Sequence, residues 1–141
     1  MKINKNIGVL LVIVFNMVAC ENLIKGPEDE PDAGNGTITI TSLSEIQKTV
    51  FTPGCAIAGC HNGLNDPNLS DGKSYMSLVN VPSLEQPSLV RVKPGDSENS
   101  LLIRKLRGLD SARMPPLPRP ALSKSTIDSI AAWIDRGALN N

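Results

Sequence analysis

The sequence predicts a mainly α-helical domain over residues 42–141, preceded by a leader and a polar tether. Three observations carry that prediction. Apolar residues recur at helical spacing in four stretches, each opened by a Ser or Asp able to cap a helix. Strand-like alternation is confined to two short pieces, Thr37–Thr41 and Val90–Val92. The first 41 residues hold a leader and then a Gly-, Pro- and acid-rich run with too few apolar side chains for a core.

The 141 residues suffice for one domain, and no internal repeat is present. Lys2 and Lys5 precede an apolar run, Ile7–Phe15, that is too short for a mature membrane span. Met17-Val18-Ala19-Cys20 then resembles the lipobox of bacterial lipoproteins. Residues 1–19 are therefore expected to be a signal peptide, and Cys20 the lipidated first residue of the mature protein. Acyl chains contribute about 0.8 kcal/mol per buried CH₂, so several together anchor stably. The alternative is an ordinary secretory leader with an incidental Cys. Residues 20–41 form the tether, and residues 42–141 the domain. The expected localisation is the cell envelope, lipid-anchored and facing the periplasm or exterior.

The helices follow in order. Ser42 and Glu45 fit a capping box for a helix over 42–51, with Ile46, Val50 and Phe51 on one face. Pro53 and Gly54 are expected to stop it just before Cys55. Residues 62–70, rich in Asn, Asp, Gly and Pro, read as a loop. A second helix is expected over 71–79, capped by Ser70, with Tyr75, Met76 and Val79 inward. Pro82 and Pro87 punctuate the next connection, and Pro94-Gly95 turns the chain. Asp96 can cap a third helix over 97–107, with Glu98 at the positive end of its dipole and Leu101, Leu102 and Leu106 inside. Four prolines between Gly108 and Pro120 predict a rigid, extended loop. The last helix is expected over 124–136, capped by Ser123 and stopped by Gly137. Ile127, Ile130, Ala131 and Ile134 form its stripe, with Trp133 beside it.

The chemistry concentrates in two stretches. Cys55-Ala-Ile-Ala-Gly-Cys60-His61 sets two thiols around a short linker, with the only histidine directly after the second. Two such thiols can add to the vinyl groups of one porphyrin edge, and the adjacent imidazole can ligate the iron. The usual spacing is C-x-x-C-H; here four residues separate the thiols, which could still reach two vinyl positions if the extra residues bulge outward. Arg113-Met114-Pro115-Pro116 offers a soft thioether on a stiff loop, suited to the sixth position of a low-spin iron. Met76 is the rival thioether, but its helical spacing with Tyr75 and Val79 favours the core. Export also permits a disulfide between Cys55 and Cys60. Across so short a loop it would stabilise by about 2 kcal/mol, and it does not account for His61. A zinc site would lack a second ligand cluster, and a Ser-His-Asp triad would have to use His61.

With Val92-Lys-Pro-Gly-Asp96, Arg113-Met-Pro115 and Trp133-Ile-Asp-Arg-Gly-Ala138 added, the chain resembles the small single-haem c-type cytochromes over roughly residues 42 to 139. The resemblance implies a cytochrome c-like helical domain around one covalent haem c, with terminal helices packed together. It implies haem-binding roles for Cys55, Cys60 and His61, and iron ligation by His61 and Met114.

Residues 86–120 hold Arg91, Lys93, Arg104, Lys105, Arg107, Arg113 and Arg119. They form either a solvated basic face or, with Arg113 first, a set that neutralises the haem propionates. The expected function is a membrane-anchored electron carrier with redox proteins as partners, and not an enzyme. Removing Lys2 and Lys5 with the leader takes the 14 basic residues to 12 against 14 acidic, a balance that gives no sign of nucleic-acid binding. Only Phe51, Tyr75 and Trp133 remain as aromatics, a thin core that a buried porphyrin would fill. Two alternatives stay open: a haem-free lipoprotein interaction module bridged between Cys55 and Cys60, and a haem sensor or peroxidase with an open distal site.

Overall fold

The computed structural model describes residues 42–110 and 112–141. The leader, Cys20, the tether and the extended piece expected at Thr37–Thr41 lie outside the described residues. The described part begins at the expected capping box. The Glu45 N–H donates to Ser42 Oγ (3.2 Å), and Glu45 Oε2 accepts from the Ser42 N–H (3.1 Å). Helix α1, Leu43–Ile46, starts there.

Pro53 and Gly54 do not end this winding. It continues as a π-type segment, Gln47–Cys55, through both residues. The Ala56 N–H donates to the Phe51 carbonyl five residues back (2.7 Å). In an ordinary helix a proline ring clashes with the carbonyl four residues back, and a wider turn moves that carbonyl aside. Leu43, Ile46, Val50 and Phe51 are buried along the inner face. Gln47, buried among them, donates to the Leu69 carbonyl (2.9 Å) and Thr52 Oγ1 (3.0 Å) and accepts from Ser74 Oγ (2.6 Å). Leaving such a buried amide unpaired would cost about 1–3 kcal/mol; satisfied, it ties the first helix to the second.

Helix α2, Ser74–Leu78, is shorter than expected because Gly72 turns with φ at 71° and the Lys73 N–H closes on Ser70 O (2.9 Å). Its phase also differs. Ser74 and Leu78 point inward, Tyr75 and Val79 are half-buried, and Met76 is 77% exposed. Over five residues the Ser74–Gln47 bond and Leu78 set the phase, and Met76 falls on the opposite side.

Val90–Val92 is extended, as expected, and bonds on both sides. The Arg91 N–H donates to Val81 O (2.8 Å) and the Val92 N–H to Leu78 O (3.0 Å); Leu101 and Leu102 donate to Val90 and Arg91 (3.1 and 2.9 Å). The pairing amounts to isolated bridges, with no continuous strand among the described residues. Helix α3, Leu101–Arg107, begins four residues later than expected. Asp96 caps only a turn, and the Ser100 hydroxyl bonds Asp96 O (2.8 Å) and the Lys93 N–H (2.8 Å), holding that turn apart from the helix. Glu98 therefore sits outside the helix and pairs with Arg107 at its far end. Leu101 and Leu106 are buried as expected, Leu102 is half-buried, and Ile103 is fully buried.

Helix α4, Lys124–Asp135, matches the sequence closely. Ser123 Oγ accepts from the Thr126 N–H (3.1 Å), and every residue of the expected stripe is buried, Trp133 included. The Ala138 N–H returns to Trp133 O (3.1 Å) and the Gly137 N–H to Ile134 O (2.9 Å), a Schellman end around Gly137 with φ at 104°. Helix α4 packs against α3. Asp135 ties it to the preceding turn by accepting from the Ser97 N–H and hydroxyl (2.8 and 3.0 Å). The first helix meets the chain's end through Asn141, which accepts from the Ser44 and Leu43 N–H groups (2.9 and 3.1 Å). One apolar core joins α1 to α4, although helices hold only 37% of the described residues. No described helix is long and apolar enough to cross a membrane.

Two carboxylates give this fold a defined acid response. A hydrogen bond from Arg104 holds Asp110 below the ordinary carboxylate value of 3.8, and hydrogen bonds from Lys93 and Asn99 do the same for Asp96. Lowered folded-state values mean that both contributions are complete above 3.8 and fade as pH falls through those lowered values. The double variant Asp96→Asn/Asp110→Asn should melt below wild type at about pH 6, and the two should converge towards about pH 2. A gap in Tm that stays constant across that range would contradict the assignment.

Candidate functional site

Cys55, Cys60, His61 and Met114 line one cavity of about 520 Å³. Its walls are mostly apolar, with Val50, Phe51, Leu69, Leu78, Leu102 and Leu106 among them. Small-molecule and cofactor sites typically enclose about 300–1,000 Å³.

The wide winding Gln47–Cys55 delivers Cys55 to the cavity. The next residues fold back on themselves. The Cys60 N–H closes on Ile57 O (3.0 Å), and the His61 N–H returns to Cys55 O (3.0 Å). Gly59 supplies the left-handed conformation this needs, with φ at 78°. Ala58 and Gly59 are exposed at the tip, so the linker bulges outward while both cysteines stay half-buried. The two thiols are free and not joined to each other.

His61 is held by the loop that follows it. Its Nδ1 lies 3.0 Å from the carbonyl oxygen of Pro67. A carbonyl only accepts, so Nδ1 is the donor, and Nε2 is the nitrogen left to bind a ligand in the neutral tautomer. Ligating histidines are commonly fixed in this way. The Leu69 N–H also donates to His61 O (2.7 Å).

Met114 reaches the cavity from the proline-rich loop. Helix α3 ends around Gly108, with φ at 70°, in a second Schellman arrangement in which the Leu109 N–H bonds Arg104 O (2.9 Å) and the Gly108 N–H bonds Lys105 O (3.2 Å). The Lys105 carbonyl also accepts from the Met114 N–H (2.9 Å), which ties the methionine backbone to the helix end. Its side chain is half-buried against the core. Met76, on the outer side of α2, does not line this cavity.

The cations are placed differently from the sequence expectation. Arg113 does not line the cavity; its Nη2 donates to the Arg119 carbonyl (2.9 Å), and its Nη1 is buried without a partner. Arg91, Lys105 and Arg119 line it instead. Arg91 is paired with Asp66 and Lys105 with Glu85. Among the described residues no carboxylate pairs with Arg119. The basic stretch is therefore largely ion-paired, and two of its members, Arg91 and Lys105, are buried.

Burial pushes the Cys55 thiol up, the Arg119 charge opposes that, and Cys60 adds to the rise. A thiol raised in this way is a poor thiolate nucleophile, which argues against a Cys-His hydrolytic pair. Among the described residues no group of three or more His, Cys, Asp and Glu is placed to hold a bare metal ion. What the cavity presents is an imidazole held through Nδ1, a thioether, two unbridged thiols and an arginine.

Sequence reasoning passed over three contributors. Pro67 acts through its carbonyl, which no side-chain pattern signals. Asn65 donates to the carbonyls of Gly59 and Cys60 (3.0 and 3.1 Å); its only sign was a place in a turn-rich loop. Arg119 was one of seven basic residues with nothing to single it out. No family model matches the chain, and no curated protein or solved structure matches it either.

Proposed function

We propose that the protein is a membrane-anchored, extracytoplasmic electron carrier with one covalently bound haem c in a cytochrome c-like domain. The observation that carries this reading is that Cys55, Cys60, His61 and Met114 all line one largely apolar cavity. The residues present fit the group on the chemistry of their donors. The thiols of Cys55 and Cys60 would hold the porphyrin edge. The Nε2 of His61, left free by the Nδ1–Pro67 bond, and the Met114 sulfur would ligate the iron. Arg119, the lining cation without a carboxylate partner, would answer the anionic edge, the role expected first of Arg113.

When bound, the haem supplies a one-electron ferric–ferrous couple. The chain's own residues do the rest. Val50, Phe51, Leu78 and Leu106 would keep water from the group, and with the Met114 thioether would set its potential. With His61 and Met114 both committed to the iron, the site would pass electrons between redox partner proteins without binding a substrate. Lipid on Cys20 would hold the domain at a membrane through the tether.

Two methionine variants test the ligand assignment. A thioether favours ferrous over ferric iron, so Met114→Ala should lower the potential and let carbon monoxide bind the reduced protein. It should also abolish the weak far-red sulfur-to-iron band of the oxidised protein. Met76→Ala should change none of these and should shift stability by no more than about 0.5 kcal/mol, as expected of a surface position. Loss of the band in Met76→Ala alone would reverse the assignment. A wild type that lacks the band and binds carbon monoxide readily would instead indicate an open distal site.

The anchor has its own test. Cys20→Ser should move the protein from the membrane to the soluble fraction. A variant that still sediments with membranes would remove Cys20 as the anchor.

A further inference from the structure

We infer that Asn65 is a positioning residue that sets the spacing of the two thiols across the widened Cys55–Cys60 linker. This rests on the reading of Cys55 and Cys60 as bonding one porphyrin. A four-residue linker has more conformations than a two-residue one, and holding one of them costs entropy. Three backbone bonds oppose that freedom, Ala56 N–H to Phe51 O at its start, then Cys60 N–H to Ile57 O and His61 N–H to Cys55 O. The carbonyls of Gly59 and Cys60 are both taken by the side-chain amide of Asn65, at 3.0 and 3.1 Å. The two N–H bonds of one nitrogen thus span two consecutive residues of the linker. The reverse orientation of the amide would set its oxygen against both carbonyl oxygens, so the network fixes the amide.

Asn65 also belongs to a strap that ties the site together. Asp66 pairs with the buried Arg91, which donates to the Ser77 carbonyl (2.8 Å), and the Pro67 carbonyl holds the His61 ring. Asn65, Asp66 and Pro67 therefore tie the second thiol, a buried arginine and the imidazole to one short segment. Asn65 itself lines the cavity beside Cys60.

The chemistry this spacing serves is an addition. At each site a thiol S–H and a vinyl π bond break, a C–S and a C–H bond form, and no electron is gained or lost. Two additions to one porphyrin need both sulfurs at its edge together. Asn65 acts on the Cys60 side, so Cys60 is the thiol that should fail when the clamp is removed.

The test compares full-length wild type with Asn65→Asp, which keeps the shape and removes both donors, with Asn65→Ala, and with Asn65→Gln, which keeps the amide. All are expressed with haem-attachment machinery, denatured and alkylated. The ratio of alkylated to haem-bound Cys60 should rise at least about tenfold in Asn65→Asp and Asn65→Ala, the scale of losing two hydrogen bonds, and fall back in Asn65→Gln. Cys55 should stay bound, and the reduced pyridine complex should shift to longer wavelength as one vinyl remains unsaturated. In haem-free full-length protein, bridging of the two thiols by a short bifunctional alkylator should slow by a similar factor while single alkylation keeps its rate.

Two saturated vinyls in Asn65→Asp, with bridging as fast as in wild type, would overturn the inference and leave the haem reading intact. A wild type that carries no haem would remove the haem reading. The bridging rates alone would then decide whether Asn65 spaces the thiols.

Discussion

The hydrogen bond between His61 Nδ1 and the Pro67 carbonyl is the constraint on which the site depends. It settles which ring nitrogen carries the proton and which way the ring faces. Without it the imidazole would be a solvated side chain with two interchangeable tautomers. Its acceptor is a backbone atom of the loop that also clamps the cysteine linker and reaches Arg91. Linker, imidazole and buried arginine are therefore not three separate features. Displacing the loop would release all of them together, and the cavity would lose its thiol side as well as its imidazole.

The cavity is continuous with the core. Val50, Phe51, Leu69, Leu78 and Leu106 face it and also belong to the apolar cluster that joins α1 to α4. A group that contacts this lining in the folded form more favourably than in the unfolded chain stabilises the fold. With little regular structure to rely on, the fold is held by satisfied polar ties at long sequence separation. Gln47 joins α1 to Ser74 and Leu69, Asp135 joins α4 to Ser97, and Asn141 joins the chain's end to α1.

How much of this was legible in the sequence follows the range of the interactions involved. Helix α4 was read almost completely, because its cap, stripe and Schellman end are all local. The Ser42–Glu45 box was legible for the same reason. The phase of α2 was not: a Ser74–Gln47 bond across 27 residues decides it, and five residues are too few for periodicity to speak. The late start of α3 rests on the Ser100 hydroxyl bridging back to Lys93 and Asp96. The continuation through Pro53 required a wider winding than any propensity scale contains. That Cys55, Cys60 and His61 share the cavity was legible because they are neighbours in the chain. Met114, singled out for its sulfur and its stiff loop, lines the same cavity. Arg119 was not preferred to Arg113, since a proline-rich loop has no period from which to read where its side chains point.

A linker of four residues should still bring both thiols and His61 to a single bound group. Peptide mapping by mass spectrometry tests this most directly, using wild type expressed with haem-attachment machinery. One haem mass is expected on the peptide containing residues 55–61, with neither Cys55 nor Cys60 open to alkylation. That peptide recovered at its bare mass, or with its two cysteines joined as a disulfide, would contradict it.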